Sequence, residues 1–175
     1  LKMVDKEPNK AHKALVKLEN DGKLKAIVTQ NIDNLHKKAG SQNVYELHGN
    51  STIFKCTLEP KHTFTYEEFK TLTENTNLPK CPKCLFGIVR PDVVLFDEWL
   101  NDEVFLNAQN AIKQADLILA IGSSLQVMPA CGLLHERNKD CKLVIINNSE
   151  TPFDKFATLI IKESCGQILE EAVNF

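Results

Sequence analysis

Three stretches of unbroken apolar character, at residues 26–28, 117–121 and 143–146, each stop at a polar turn. A strand that is apolar at every position is buried on both faces, which is the signature of a parallel sheet covered by helices. The segments between them fit that pattern. Residues 8–21 carry Ala11, Ala14, Leu15 and Leu18 at helical spacing, with Pro8 suited to the first turn and Gly22 to the end. Strands are expected at 25–29, 93–96, 116–121, 142–146 and 157–161. Helices are expected at 33–39, with Asp33 as N-cap, and at 102–114, 129–137 and 167–173.

Residues 51–90 break this rhythm. Apolar periodicity fades, Lys, Thr and Glu accumulate, and three of the six cysteines appear. The expected organisation is therefore an α/β parallel-sheet domain built from 1–50 and 91–175, with 51–90 as an inserted small module holding one helix at 66–74. Phe54, Phe64 and Phe69 are the natural core of that module, and Trp99 with Leu100 reads as core or an interface patch.

The formal net charge is -2, so no basic field marks a nucleic-acid or membrane surface. No run is long enough to span a bilayer, and no secretory signal is visible. Unevenly spaced cysteines in such a chain read as thiols or metal ligands in a cytoplasmic setting. The first residue is Leu1 rather than Met, and the expectation is that a further N-terminal segment precedes it.

The polar residues at the expected strand ends are the candidates for chemistry, because open α/β sheets hold their ligands there. Gln30, Asn31, Ile32 and Asp33 follow the first apolar run, and His48 follows Val44-Tyr45 within Glu46-Leu47-His48-Gly49. An amide, a carboxylate and an imidazole delivered together can orient a polar ligand and move a proton. Gly122, Ser123 and Ser124 sit between strand and helix, where backbone amides and hydroxyls can hold phosphate. Asn147 ends the next strand on the same sheet edge. His12, His36 and His135 lie on expected helices and read as packing or surface residues.

Cys81-Pro82-Lys83-Cys84 can grip one zinc ion from a single knuckle, with Cys56 as a third ligand. The partner position three residues after Cys56 is Glu59, leaving His62 or Glu59 as the fourth donor, with His62 the better choice. Two other readings stand beside it: a module held by packing alone, and a redox pair, which the loop-like Leu78-Pro79 disfavours.

Taken in order, these strings resemble the sirtuin family of NAD-dependent protein deacylases. The matching pieces are Pro8-Asn9-x-x-His12, Thr29-Gln30-Asn31-Ile32-Asp33-Asn34-Leu35-His36, Ala39-Gly40, Glu46-Leu47-His48-Gly49 and Cys81-Pro82-x-Cys84. Arg90-Pro91-Asp92-Val93-Val94, Gly122-Ser123-Ser124-Leu125 and Val144-Ile145-Ile146-Asn147 complete the set. The resemblance implies a Rossmann-like large domain with a zinc-ribbon-like module, and NAD and an acyl-lysine peptide bound between them. It implies transfer of the acyl group to ADP-ribose, releasing nicotinamide and O-acyl-ADP-ribose. His48 would be the general base, with Asn31 and Asp33 assisting it. Gln30, Ile32, Gly122, Ser123, Ser124, Asn147, Asn148, Ser149 and Cys165 would join them in contacting NAD. Val94, Leu95, Phe96, Asp97 and Glu98 would receive the peptide as an added strand, and Cys56, Cys81 and Cys84 would ligate zinc.

Three departures qualify the implication. Glu59 replaces a zinc cysteine, Asp97 stands where many members have Gly, and the family's Gly-Ala-Gly phosphate loop and flexible lid are absent. The rival expectations are a relative that binds ADP-ribose or a peptide without turnover, and an NAD-dependent ADP-ribosyltransferase.

Overall fold

The computed structural model describes residues 6–173. They fall into two compact units, each discontinuous in sequence.

The larger unit holds Glu7–Thr29, Leu35–Leu47 and the described part of Asn101–Phe175. In it β1 (Ile27–Thr29) pairs in parallel with β2 (Val44–Glu46). The strands β6 (Leu117–Ile121), β7 (Lys142–Ile146) and β8 (Leu159–Ile161) form a second parallel sheet in the order β6-β7-β8. Strand β7 shows why its residues are all apolar. Leu143 and Ile145, each 1% exposed, enter one core cluster with Ala108, Leu133 and Phe153. Ile146 and Val144 enter another with Ala14, Leu15 and Leu169. Alternate side chains serve opposite faces, so both must be apolar. The covering helices are α1 (Lys10–Asn20), α2 (Leu35–Ala39), α4 (Asp102–Gln114) and α5 (Cys165–Val173).

The element boundaries depart from the sequence reading in instructive ways. Helix α1 begins at Lys10 because Asn9 caps it, its side chain accepting from the His12 N–H while His12 Nδ1 accepts from the Asn9 N–H. Pro8 thus precedes the helix instead of opening it. Helix α2 begins at Leu35, two residues after Asp33, because Asn34 adopts a left-handed backbone at φ 62° that no helix can include. The expected helix at 129–137 is a 3-10 turn, Ala130–Glu136.

The smaller unit contains Gln30–Asn34 and His48–Leu100. It is wider than the expected insert and takes in the segment after β1. Its antiparallel sheet places β3 (Gly49–Cys56) between β4 (Thr63–Phe64) and β5 (Val89–Val93). Thr65 and Glu68 form a capping box at α3 (Tyr66–Thr73). The strand expected at 93–96 lies earlier, at Val89–Val93, because β5 is an edge strand and an edge tolerates Pro91. The core is Phe54, Phe64 and Val89 with Cys56 and Cys81, and Phe69 stacks on Phe54 at 4.2 Å between ring centroids. Trp99 is not core: it is 95% exposed.

Candidate active site and metal cluster

In the smaller unit, His48 and the Gln30–Asn34 segment come together. His48 Nδ1 lies 3.1 Å from the Gln30 carbonyl oxygen. A carbonyl only accepts, so Nδ1 carries the proton in that contact and Nε2 of the neutral ring keeps its lone pair. The next residue explains the backbone path. Gly49 has φ 78°, and a Cβ there would lie 2.1 Å from the Asp92 carbonyl oxygen. Only glycine fits. Gln30, Ile32, Asp33 and His48 are half-buried and Asn31 is exposed.

The residues expected to receive a peptide, 94–98, form a loop that follows β5. The Val94 N–H donates to the His48 carbonyl at 2.9 Å, which ties this loop to the imidazole's own backbone. Beyond it Leu95 is exposed, Phe96 is 98% exposed, and Asp97 adopts φ 69°. Glu98 folds back on the loop. Its carboxylate accepts from both terminal guanidinium nitrogens of Arg90, and Oε2 also accepts the Leu95 N–H at 2.9 Å. The Arg90 pairing, followed by the Leu95 N–H, holds the Glu98 carboxyl down at about 2.

In the larger unit, Gly122, Ser123 and Ser124 leave the end of β6, and Asn147, Asn148 and Ser149 leave the end of β7. The strands are adjacent and parallel, so both turns emerge at one sheet edge. The Gly122 N–H donates to the Ile146 carbonyl at 2.9 Å, and Gly122 has φ 59°, which suits its residue type. Asn147 Nδ2 donates to the Ser149 carbonyl at 2.7 Å, closing the second turn. Cys165 is half-buried and opens α5, after β8 of the same sheet.

Cys56, His62, Cys81 and Cys84 converge, their ligand atoms all within 4.8 Å of one another. Cys56 Sγ and Cys84 Sγ are 3.6 Å apart, and Cys81 Sγ lies 3.6 Å from His62 Nδ1. A tetrahedral zinc with ordinary bond lengths sets two sulfurs roughly 3.8 Å apart, and sulfur and nitrogen roughly 3.6 Å apart. The donor set therefore fits zinc. Glu59 is outside the cluster, 3.6 Å from Lys61 Nζ in an ion pair. The N–H groups of Gly87 and Phe86 lower Cys84 to about 6, which favours thiolate at that residue, while burial pushes Cys56 up. Gly87 packs so closely that a Cβ would lie 2.3 Å from Cys56 Sγ.

A profile described as the Sir2 family matches residues 1–129. A protein from Clostridium acetobutylicum, named NAD-dependent protein deacetylase, is 47% identical over 169 residues, covering 97% of this chain and 67% of its own length. The same name belongs to a Clostridium perfringens protein 49% identical over 168 residues, covering 96% of this chain and 67% of its own. The chain belongs to the Sir2 family. A solved structure of Sir2 with a p53 peptide and NAD+ superposes with a TM-score of 0.90 at 36% identity, over 99% of this chain and 72% of that one. Sir2 bound to acetylated peptide gives 0.91 at 36% identity, covering 99% and 73%. The Rossmann-like fold class read from the sequence agrees with these neighbours.

Within this Sir2 chain, the geometry also involves residues that the sequence reading did not single out. Asn50 and Ser51 bond the Gln30–Asn34 segment. Their signal was a run of polar residues, Asn50-Ser51-Thr52, at the start of a strand whose later residues form a core.

Proposed function

We propose that this chain is an NAD-dependent protein-lysine deacylase acting on acyl-lysine peptides, with His48 as its general base. The observation that carries the reading is the contact between His48 Nδ1 and the Gln30 carbonyl at 3.1 Å. It leaves Nε2 as the atom able to take a proton from a ribose hydroxyl, and imidazole does this near neutral pH. NAD, when bound, supplies the ribose carbon that accepts the acyl oxygen and the nicotinamide that leaves. Asn31 holds a ribose hydroxyl or a water, and the Asp33 carboxylate accepts from the nicotinamide amide. Gln30 and Ile32 line the same segment. The turns at Gly122, Ser123 and Ser124 and at Asn147, Asn148 and Ser149 contact the rest of the dinucleotide, with Cys165 at the adenine end. An extended peptide adds its backbone to residues 94–98, where Phe96 offers an unburied apolar ring. Cys56, His62, Cys81 and Cys84 hold zinc in a structural role, because four protein donors leave no open position for chemistry.

The test is nicotinamide release by the chain, with and without an acetyl-lysine peptide. Release that requires the peptide is the expected result. Release without it turns the reading toward ADP-ribosyl transfer, and none under either condition toward a binding module. Among the described residues no helix is long and apolar enough to cross a membrane.

A further inference from the structure

We infer that Asn50 is a positioning residue for the Gln30–Asn34 segment and, through it, for the side chains that meet NAD. The inference rests on the functional reading above. The segment is tied at every second residue to His48 and to the first residues of β3 that follow it. Gln30 offers its carbonyl to His48 Nδ1 at 3.1 Å. The Ile32 carbonyl accepts the Ser51 N–H at 2.8 Å and the Ser51 hydroxyl at 2.7 Å. Asn34 Oδ1 accepts Asn50 Nδ2 at 3.0 Å. Asn31 and Asp33, the two residues assigned to NAD chemistry, stand between the three tied positions.

Strand β3 is shaped for this. It pairs with β5 at Gly49 and Asn50, then breaks register until Phe54. The Ser51 N–H, released from the ladder, turns to Ile32 instead. Such irregularities re-aim strands beside functional sites. Asn50 is 2% exposed and its amide has one orientation. Its Oδ1 accepts the Thr52 N–H at 2.9 Å and the Thr52 hydroxyl at 2.7 Å, which directs Nδ2 to Asn34. Asn34 is in turn held at φ 62°, where Asn is one of few non-glycine residues at ease. The Asn50–Asn34 bond thus fixes the residue at which the segment turns into α2.

The test compares Asn50→Ala, Asn34→Gly and the double variant with the parent chain. Asn34→Gly keeps the left-handed backbone and removes only the side-chain acceptor, so it stays informative if Asn50→Ala folds poorly. The first readout is amide hydrogen exchange, expected to quicken roughly tenfold at residues 31–34 in both single variants, with β6–β8 unchanged. The second is steady-state kinetics, with the KM for NAD raised roughly tenfold while the KM for acetyl-lysine peptide stays within about twofold. The double variant should be no worse than the more affected single one, because both remove the same bond. Unchanged exchange at 31–34 overturns the inference. So does a parallel rise in both KM values with faster exchange throughout, which marks a merely structural residue. A parent chain that releases no nicotinamide sinks the deacylase reading instead, and exchange at 31–34 then decides the positioning role alone.

Discussion

The two compact units solve the problem of cohesion differently. The larger one buries apolar side chains on both sides of its strands, with Leu143 and Ile145 on one face and Ile146 on the other. Among the described residues the smaller one buries a core cluster of Phe54, Cys56, Phe64, Cys81 and Val89, and two of these, Cys56 and Cys81, belong to the group whose geometry fits a zinc ion. Set the cysteines aside and the buried apolar core is Phe54, Phe64 and Val89, with Tyr66, Phe69 and Leu72 only partly buried against it, a small core for a unit running from His48 to Leu100. In one unit the hydrophobic effect suffices. In the other a Cys/His group that fits zinc and a set of polar ties stand beside a smaller apolar core, and the proposed acid–base residue lies in that second unit.

The sharpest way to break this contrast is to take the metal away. Chelation, or Cys81→Ser, is expected to unfold the β3–β5 sheet while β6–β8 keep their protection against hydrogen exchange. Structural zinc contributes on the order of 10–16 kcal/mol in small zinc-binding peptides, more than any single side chain here could replace. Metal content should fall from one zinc per chain to none, and His62→Ala should lower it whereas Glu59→Ala should not. Equal loss of protection in both sheets would show that the units do not differ in what holds them.

A smaller effect separates chemistry from cohesion within the same unit. His48→Ala should slow deacylation by about 100- to 10,000-fold, the range for losing a general base, with zinc content and exchange in β3–β5 unchanged. Rates from peptide turnover and metal analysis on the same preparation check both halves. A variant that loses zinc together with activity would make His48 part of the scaffold.

The contrast also explains what the sequence made legible. The parallel unit was readable because its signal is local: an apolar run, a polar turn, a helical repeat. The strings around Gln30 and His48 were readable for the same reason. The position of β5 was not, because Pro91 looks like a break until the strand is known to lie at an edge. Strand β3 was hidden in a polar stretch, since its opening residues bond a segment sixteen positions upstream in place of a core. For the fourth member of the metal-fitting group the sequence offered only a preference, His62 over Glu59, which the cluster bears out; spacing alone does not show which side chain turns inward. The Asn34 conformation shortened α2, a backbone fact with no periodicity to announce it.

The smallest expected effect lies in the exposed loop at 94–98, where neither apolar burial nor metal acts. The loop's shape depends on one carboxylate that accepts Arg90 and the Leu95 N–H together. Glu98→Gln keeps the size and removes the charge, and exposed pairs of this kind are weak, so the KM for peptide should rise only about two- to fivefold with the KM for NAD unchanged. The pH dependence carries the sharper signature. Glu98 is held below its ordinary 4.5, at about 2, first by Arg90 and then by the Leu95 N–H. A depressed carboxyl contributes fully above its unfolded value and loses that contribution only as pH falls toward the folded one. Peptide affinity owed to this pairing should therefore stay flat from neutral pH to about 5 and decline between about 4.5 and 2, measured by peptide binding across that window. A decline centred near neutrality would mean that the loop is governed by an imidazole and not by this carboxylate.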